Sequence, residues 1–435
     1  MSDPASLTLS EWETASPETH DVLRGQFLDG DARRVADELD RSRRLRFTEL
    51  QTGTRTAAGS HVGRVRVGGL TVTVKPKLDA GPLLRLLRYA HGLRRLKLLS
   101  EAEHLVEQCG FEDLLVLQLN AEARELIARG LRREAVGRTE PLASPRGRIA
   151  VDRLARAGGT ATASLPCRHF PRTEDTPLNR ALLAGLRLAG EVTGLIELKR
   201  DARRLAGLLD ERVARVRPDL PAVERAEARL NRLTAAYGPA LTLTRLLVEG
   251  RGVALEGRSA SALPGYLFDM NAFFQALLSR FLRENLPAGC SLRDERGLTG
   301  MLRYAPGCNP RGRRPPTPRP DYAVLRPGEP PALPDAKYRD LWEKRLPREM
   351  LYQLVVYAVS RPARPRAAIP YPTADPAVRE ARIDVADPLA GRPLGRVDLR
   401  PVNLTQIERL VGSPTAAARR ERAALARRLA FGDVR

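Results

Sequence analysis

Two aspartates and a lysine stand at fixed offsets along a strand–turn–strand pattern, and few folds accommodate that arrangement. Arg319-Pro320-Asp321-Tyr322-Ala323-Val324-Leu325 reads as an apolar strand, Arg326-Pro327-Gly328-Glu329-Pro330 as a turn, and Pro334-Asp335-Ala336-Lys337-Tyr338 as a second strand. With the turn centred on Gly328, Asp321 faces Asp335 across the pair, and Lys337 shares a face with Asp335. Opposed carboxylates repel unless a cation lies between them. Pro330 and Pro331 loosen the turn, and a slip of one residue would break this pairing. The lysine carries weight of its own, because the chain holds six lysines against 67 arginines. A compact ammonium shifts its pKa readily, whereas a guanidinium does not. An Asp-x-Lys tripeptide is a weak signal by itself. Two carboxylates and a lysine on one hairpin suit magnesium-dependent cleavage of phosphodiesters, with Asp321, Asp335 and the Ala336 carbonyl as metal ligands.

The run Arg348-Glu349-Met350-Leu351-Tyr352-Gln353-Leu354-Val355-Val356-Tyr357-Ala358 predicts an apolar helix. Gln353 and Tyr357 lie four apart and so share one face, from which they can support the acids. Before the first acid, Asn309 to Arg319 is held extended by proline and carries Arg311, Arg313, Arg314 and Arg319 as candidate contacts to a DNA backbone.

Composition narrows the classes further. A formal charge of +21 and 43% hydrophobic residues over 435 positions predict two or three cored domains with a polyanionic partner. Met1 to Gly30 is polar and acidic and does not resemble a signal peptide, and no run of about 18 apolar residues exists. Cys109, Cys167, Cys290 and Cys308 show neither zinc-site nor disulfide-framework spacing, which fits a reducing cytoplasm. No lysine follows a glycine, so there is no P-loop and no nucleotide is expected on this chain.

Three regions are expected along the chain. Residues 1–80 alternate apolar and polar positions and predict a β-rich module, with strands at 44–50 and 61–67 and a third after Gly68-Gly69. Residues 81–250 are mostly helical, with an irregular stretch at 140–175 and helix breaks near Gly194 and at Val216 to Pro221. Gly250 to Pro264 is expected to be a linker, and residues 265–435 form the part bearing the acids. That part opens with a helix from Phe268 to Asn285 and a strand near Ser291, and ends with an arginine-rich helix from Pro414 to Leu429.

Pro-Asp, then Asp-x-Lys, then a helix with Gln-x-x-x-Tyr resembles the PD-(D/E)xK nuclease superfamily in its RecB-like branch. Other segments narrow the resemblance to McrC, the nuclease subunit family of McrBC restriction systems. They are Gly69 to Lys77, Leu83 to Ala90, Pro145-Arg146-Gly147-Arg148-Ile149, Cys167-Arg168-His169-Phe170 through Asp175 to Arg180, and Phe268 to Phe274. The resemblance covers about residues 60 to 360. It implies an α+β multidomain chain with an N-terminal β-rich module, a central helical region and a C-terminal α/β nuclease domain. It also implies catalytic roles for Asp321, Asp335, Lys337, Gln353 and Tyr357, with Mg²⁺ (or Mn²⁺) as cofactor. By the same resemblance an AAA+ GTPase subunit engages the N-terminal half, and methylated double-stranded DNA is the substrate. Family members often carry a glutamate after the Phe pair of the opening helix. Here Gln275 stands there, and Glu284 is a candidate substitute nine residues on. Two other readings fit the same residues: a RecB-like repair nuclease acting alone, and a non-catalytic adaptor that binds DNA and stimulates a GTPase.

Overall fold

The computed structural model describes residues 5–93, 110–156, 163–251, 265–360 and 365–432. Most of the expected linker, and the Gly158-Gly159 pair, lie outside these residues. Within them the chain is mixed α+β, with several small sheets in place of one large one.

The N-terminal region holds β1 (Ala5–Ser10), β2 (Thr14–Ala15), α1 (Gly30–Arg41), β3 (Leu45–Leu50), β4 (Gly53–Ala58), β5 (His61–Val67) and β6 (Leu70–Lys75). The alternation in β5 and β6 buries Val65, Val67, Leu70, Val72 and Val74 on one side, as a half-buried strand requires. The helix α1 is started by Asp29, whose side chain accepts from the Ala32 N–H.

The central region begins with α2 (Ala80–His91) and α3 (Phe111–Arg129). After β7 (Glu134–Ala135), the stretch expected to be irregular folds largely into regular elements: β8 (Arg138–Leu142), which reaches into it, β9 (Arg148–Ile149), the short α4 (Val151–Arg156), β10 (Leu165–His169) and β11 (Arg172–Thr173). Gly147 makes this possible: at φ +73 it turns Arg148 and Ile149 back onto β10, so close that a Cβ would lie 2.4 Å from the Arg168 carbonyl. Four helices follow, α5 (Pro177–Val192), α6 (Ile196–Asp210), α7 (Leu220–Glu227) and α8 (Gly238–Gly250). Two of their three breaks fall at Gly194 and before Leu220, where glycine and proline predict them; the third, between Glu227 and Gly238, was not expected.

The C-terminal region opens with a strand, β12 (Gly265–Asp269), and not directly with a helix. Asp269 ends the strand and caps α9 (Met270–Asn285) by accepting from the Asn271 N–H. β12 completes the N-terminal sheet in the order β1-β6-β5-β12, with Leu267 opposite Gly63. Gly63 sits at φ +130, and a Cβ there would stand 2.2 Å from the Tyr266 carbonyl, so only glycine admits β12 at this register.

Next come β13 (Ser291–Asp294), β14 (Tyr322–Arg326), β15 (Glu329–Ala332), α10 (Arg348–Val359), β16 (Arg366–Thr373), β17 (Ala381–Ala386), β18 (Pro393–Asn403), α11 (Leu404–Gly412) and α12 (Ala416–Phe431). They form two three-stranded sheets, β13-β14-β15 and β16-β18-β17, the second carrying α10 against β16 and β18.

One apolar core runs from β1 through the central helices to α9 and takes in Tyr322, Ala336 and Tyr338. A second, smaller core holds Ala323, Leu333, Leu354, Tyr357 and Ile369. The segment from Leu333 to Tyr338 is therefore the seam between the two. Among the described residues, no helix is long and apolar enough to cross a membrane.

Candidate active site

The hairpin forms, but its tip is one residue tighter than a turn centred on Gly328 requires, and a register shift between Val324 and Arg326 restores the expected pairing at Val324 and Ala332. Arg326 pairs with Glu329 around Pro327-Gly328, and Gly328 takes φ +74, the conformation that favours glycine at the third position of a tight turn. Pro330 and Pro331 have no N–H to give to β14, so the ladder shifts between Val324 and Arg326 and β15 ends at Ala332. The second strand does not continue to Lys337 within the hairpin. Pro334 still touches the first residue of β14, but residues 335–337 run on along β16: Asp335 N–H donates to Ala368 O at 2.9 Å and Lys337 N–H to Pro370 O at 3.0 Å. The catalytic-type segment thus bridges two sheets, and its tertiary partner β16 fixes where its side chains point.

Asp321 and Asp335 nevertheless meet. Tyr322 N–H donates to Pro334 O at 3.1 Å, and Asp321 N–H donates to Asp335 Oδ1 at 3.3 Å. Lys337 Nζ lies 2.6 Å from Asp335 Oδ2 and 3.9 Å from Asp321 Oδ2. Asp335 is 1% exposed, whereas Asp321 and Lys337 keep an open edge. Neither Oδ2 accepts a hydrogen bond of good geometry, although both are buried.

Burial, and then the neighbouring Asp335 charge, push the Asp321 carboxyl up to about 6. Lys337, the Gln275 side chain and the Ala336 N–H act in the opposite direction. Ala336 therefore directs its N–H to Asp321, while the N–H groups on either side of it serve β16. In an extended segment the carbonyl of a residue points the same way as its N–H, so the Ala336 carbonyl also turns from β16 to the acids' side.

The helix α10 brings up Gln353 and Tyr357 together: Gln353 Nε2 donates to Tyr357 Oη at 2.9 Å. Burial, then Asp335, raise the Tyr357 phenol's pKa, so the hydroxyl is a neutral donor near the acids. From the other side α9 contributes Gln275, whose main-chain carbonyl accepts from the Tyr322 hydroxyl at 2.7 Å. Gln275 thus holds the place facing Asp321. Glu284 does not replace it. Its carboxylate accepts from the Tyr89 hydroxyl at 2.7 Å and pairs with Arg280 at 2.7 Å, more than two turns along the helix. Among the described residues no third Asp, Glu, His or Cys joins the two aspartates in a metal-type cluster. Arg311, Arg313, Arg314 and Arg319 are all exposed on the loop that leads into Asp321. Asn309 shapes that loop by accepting from the Arg313 N–H at 2.9 Å and donating to the Arg313 carbonyl at 2.8 Å.

The family model of the McrBC 5-methylcytosine restriction system component matches residues 56–369, a span that holds both aspartates, Lys337, Gln353 and Tyr357. The chain belongs to the McrBC family. In fold this McrBC protein is similar to a chain of the refined half-complex from a tetradecameric assembly of Thermococcus gammatolerans McrB AAA+ hexamers with bound McrC. The TM-score is 0.60 at 18% identity, covering 97% of this chain and 99% of that one. A chain of the cryo-EM structure of the Thermococcus gammatolerans McrBC complex aligns at TM-score 0.44 and 18% identity, over 64% of this chain and 88% of that one. No curated protein matches this McrBC member.

Sequence reasoning missed two side chains near the site, Glu11 and Tyr338. The first had no local signal, because its partner lies 327 positions away.

Proposed function

We propose that this McrBC-family chain is a Mg²⁺-dependent DNA endonuclease subunit with the PD-(D/E)xK site arrangement. In this reading it cleaves methylated double-stranded DNA when driven by an McrB-like AAA+ GTPase. The observation that supports the reading is the pairing of Asp321 and Asp335: among the described residues Asp321 Oδ2 has no hydrogen-bond partner, and Asp335 Oδ2 meets only the Lys337 ammonium at 2.6 Å, itself 3.9 Å from Asp321. A buried carboxylate oxygen without a donor fits a hard divalent cation, which is held by oxygen ligands. Asp321, Asp335 and the Ala336 carbonyl are the residues that would hold it. When bound, such a cation acidifies a water and offsets charge on the phosphoryl oxygens.

The chain's own groups do the rest. Lys337 Nζ, anchored on Asp335, presents its remaining protons towards the attacked phosphate and stabilises charge as it develops. The Gln275 side chain, beside Asp321, partly offsets the upward shift of that carboxyl. Tyr357, with Gln353 on its hydroxyl, fixes the α10 side of the site. The exposed arginines at 311, 313, 314 and 319 track the DNA backbone into it. The β-rich N-terminal module engages the GTPase, and the residues from 265 onward form the nuclease domain.

The test is cleavage of methylated and unmethylated plasmid by the chain with its GTPase partner, in Mg²⁺ and GTP. Asp335→Asn is expected to lower cleavage at least about a thousandfold without unfolding the chain, since it removes a charged ligand but not its shape. Wild-type cutting by Asp335→Asn sinks the assignment. A second reading rests on Gln275, which leaves the site with two acids and no third. It is an adaptor that binds DNA and stimulates GTP hydrolysis, and it predicts stimulation without cutting.

A further inference from the structure

We propose that Glu11, on the N-terminal module, is a positioning residue for Lys337 and acts through Tyr338. The inference rests on the nuclease reading for what Lys337 does, but not for where Lys337 is held. Lys337 and Tyr338 are consecutive in an extended segment, so their side chains leave on opposite faces. Lys337 goes to the acids, and Tyr338 goes back into the main core, edge-on to Phe274 at 5.9 Å between ring centroids. There its hydroxyl donates to Glu11 Oε1 at 3.1 Å, and the same oxygen accepts from the Lys77 N–H at 3.2 Å.

Glu11 is 4% exposed, and its Oε2 has no hydrogen-bond partner among the described residues. A buried carboxylate with an unsatisfied oxygen is costly and is retained only where the surroundings force it. The residues around it are forced too. Trp12 is held at φ 65, a conformation rare for a bulky side chain. The Arg339 guanidinium stacks over the Trp12 ring at 5.4 Å, and Lys344 Nζ donates to the Trp12 carbonyl at 3.0 Å. Lys77 Nζ lies 3.4 Å from Asp340. Apart from the Phe274 contact, which is to α9, these contacts join the stretch after Lys337 to the turn that follows β1 and to Lys77 just past β6. The backbone on the other side of Lys337 is already fixed by β16. The N-terminal module is therefore the second clamp on the lysine, and a movement of β1 relative to the C-terminal sheets moves Nζ relative to Asp321 and Asp335.

The test has two readouts on the full chain. The first is kcat and KM for plasmid cleavage with the GTPase partner. Glu11→Ala and Tyr338→Phe are expected to lower kcat roughly ten- to a hundredfold, the scale of an ångström-sized misplacement, with KM nearly unchanged. Glu11→Gln keeps an oxygen that accepts both hydrogen bonds and is expected to stay within about threefold of wild type. The second readout needs no activity: the rate at which an amine reagent labels Lys337, followed by mass spectrometry against the five other lysines. Faster labelling of Lys337 alone in Tyr338→Phe supports the clamp. Unchanged labelling in Tyr338→Phe overturns it, whether or not the wild type cuts DNA. If the wild type cuts, Asp335→Asn does not, and the Glu11 and Tyr338 variants keep wild-type kcat, the clamp is wrong and the nuclease reading stands. Should Glu11→Ala fail to fold, Tyr338→Phe decides alone, because it removes one oxygen and keeps the buried ring.

Discussion

Asp321 keeps its proton into a pH range where an exposed aspartate has lost it. Its carboxyl, raised to about 6, binds a proton more tightly in the folded chain than in the unfolded one. Folding is therefore favoured at low pH by this group, and that contribution is lost as pH rises through about 4 to 6. In chelator, Asp321→Asn is expected to flatten the fall in melting temperature across this window. In the proposed reading Mg²⁺ would compete with the same proton. It is expected to raise the wild-type melting temperature well above pH 6 and hardly at pH 5, and to have no effect on Asp335→Asn. An equal Mg²⁺ shift at both pH values would show that the cation binds elsewhere. That these residues come together was legible because Asp321, Asp335 and a scarce lysine stand at informative spacing. Gln275 was legible as a departure, but not that its main-chain carbonyl accepts from the hydroxyl of Tyr322, the residue next to Asp321.

At the scale of elements, Gly63 is the sharpest handle. Any side chain there meets the Tyr266 carbonyl, so Gly63→Ala must push β12 off β5 or bend both. A loss of roughly 2–3 kcal/mol is expected, typical of an overpacked site with little room to relax. Because β12 leads directly into α9, the variant should also misplace Gln275 and slow cleavage. A thermal melt and a cleavage assay on the same preparation check both. The glycine itself was a readable signal, since an isolated glycine in an alternating strand marks a close backbone approach. What approaches it was not readable, for β12 lies some two hundred positions later. The helices between Pro177 and Gly250 show the opposite case. Their periodicity and their Gly and Pro breaks are local, and the structure follows them closely. The second strand of the hairpin failed for want of local information: Pro330 and Pro331 announce a disruption, but nothing near them names β16 as the new partner.

Over the whole molecule, the core that contains β1, β5 and β6 also contains β12, α9, Tyr322 and Tyr338. A fragment beginning at residue 265 would expose one edge of β12 and the faces of Phe268, Phe273 and Phe274, all of which are buried in the intact chain. Such a fragment is expected to be aggregated or loosely packed, with weak near-ultraviolet dichroism, even with both aspartates present. A cooperative melt from the isolated fragment would contradict this. The charge of +21 acts at the same scale. It favours any polyanion, so binding to unmethylated DNA should weaken steeply with salt.

The antiparallel ladder between β5 and β12 has a mechanical meaning as well. Its five residue pairs lie side by side from Gly265 opposite Val65 to Asp269 opposite His61. A pull along the strand direction loads those hydrogen bonds together, as a shear, and not one at a time like a zipper. Tension applied to the N-terminal sheet would thus be carried into α9 with little slack. A force spectrometer gripping residues 68 and 285, which pull the two strands from opposite ends, would read that stiffness directly, as a high rupture force that Gly63→Ala abolishes.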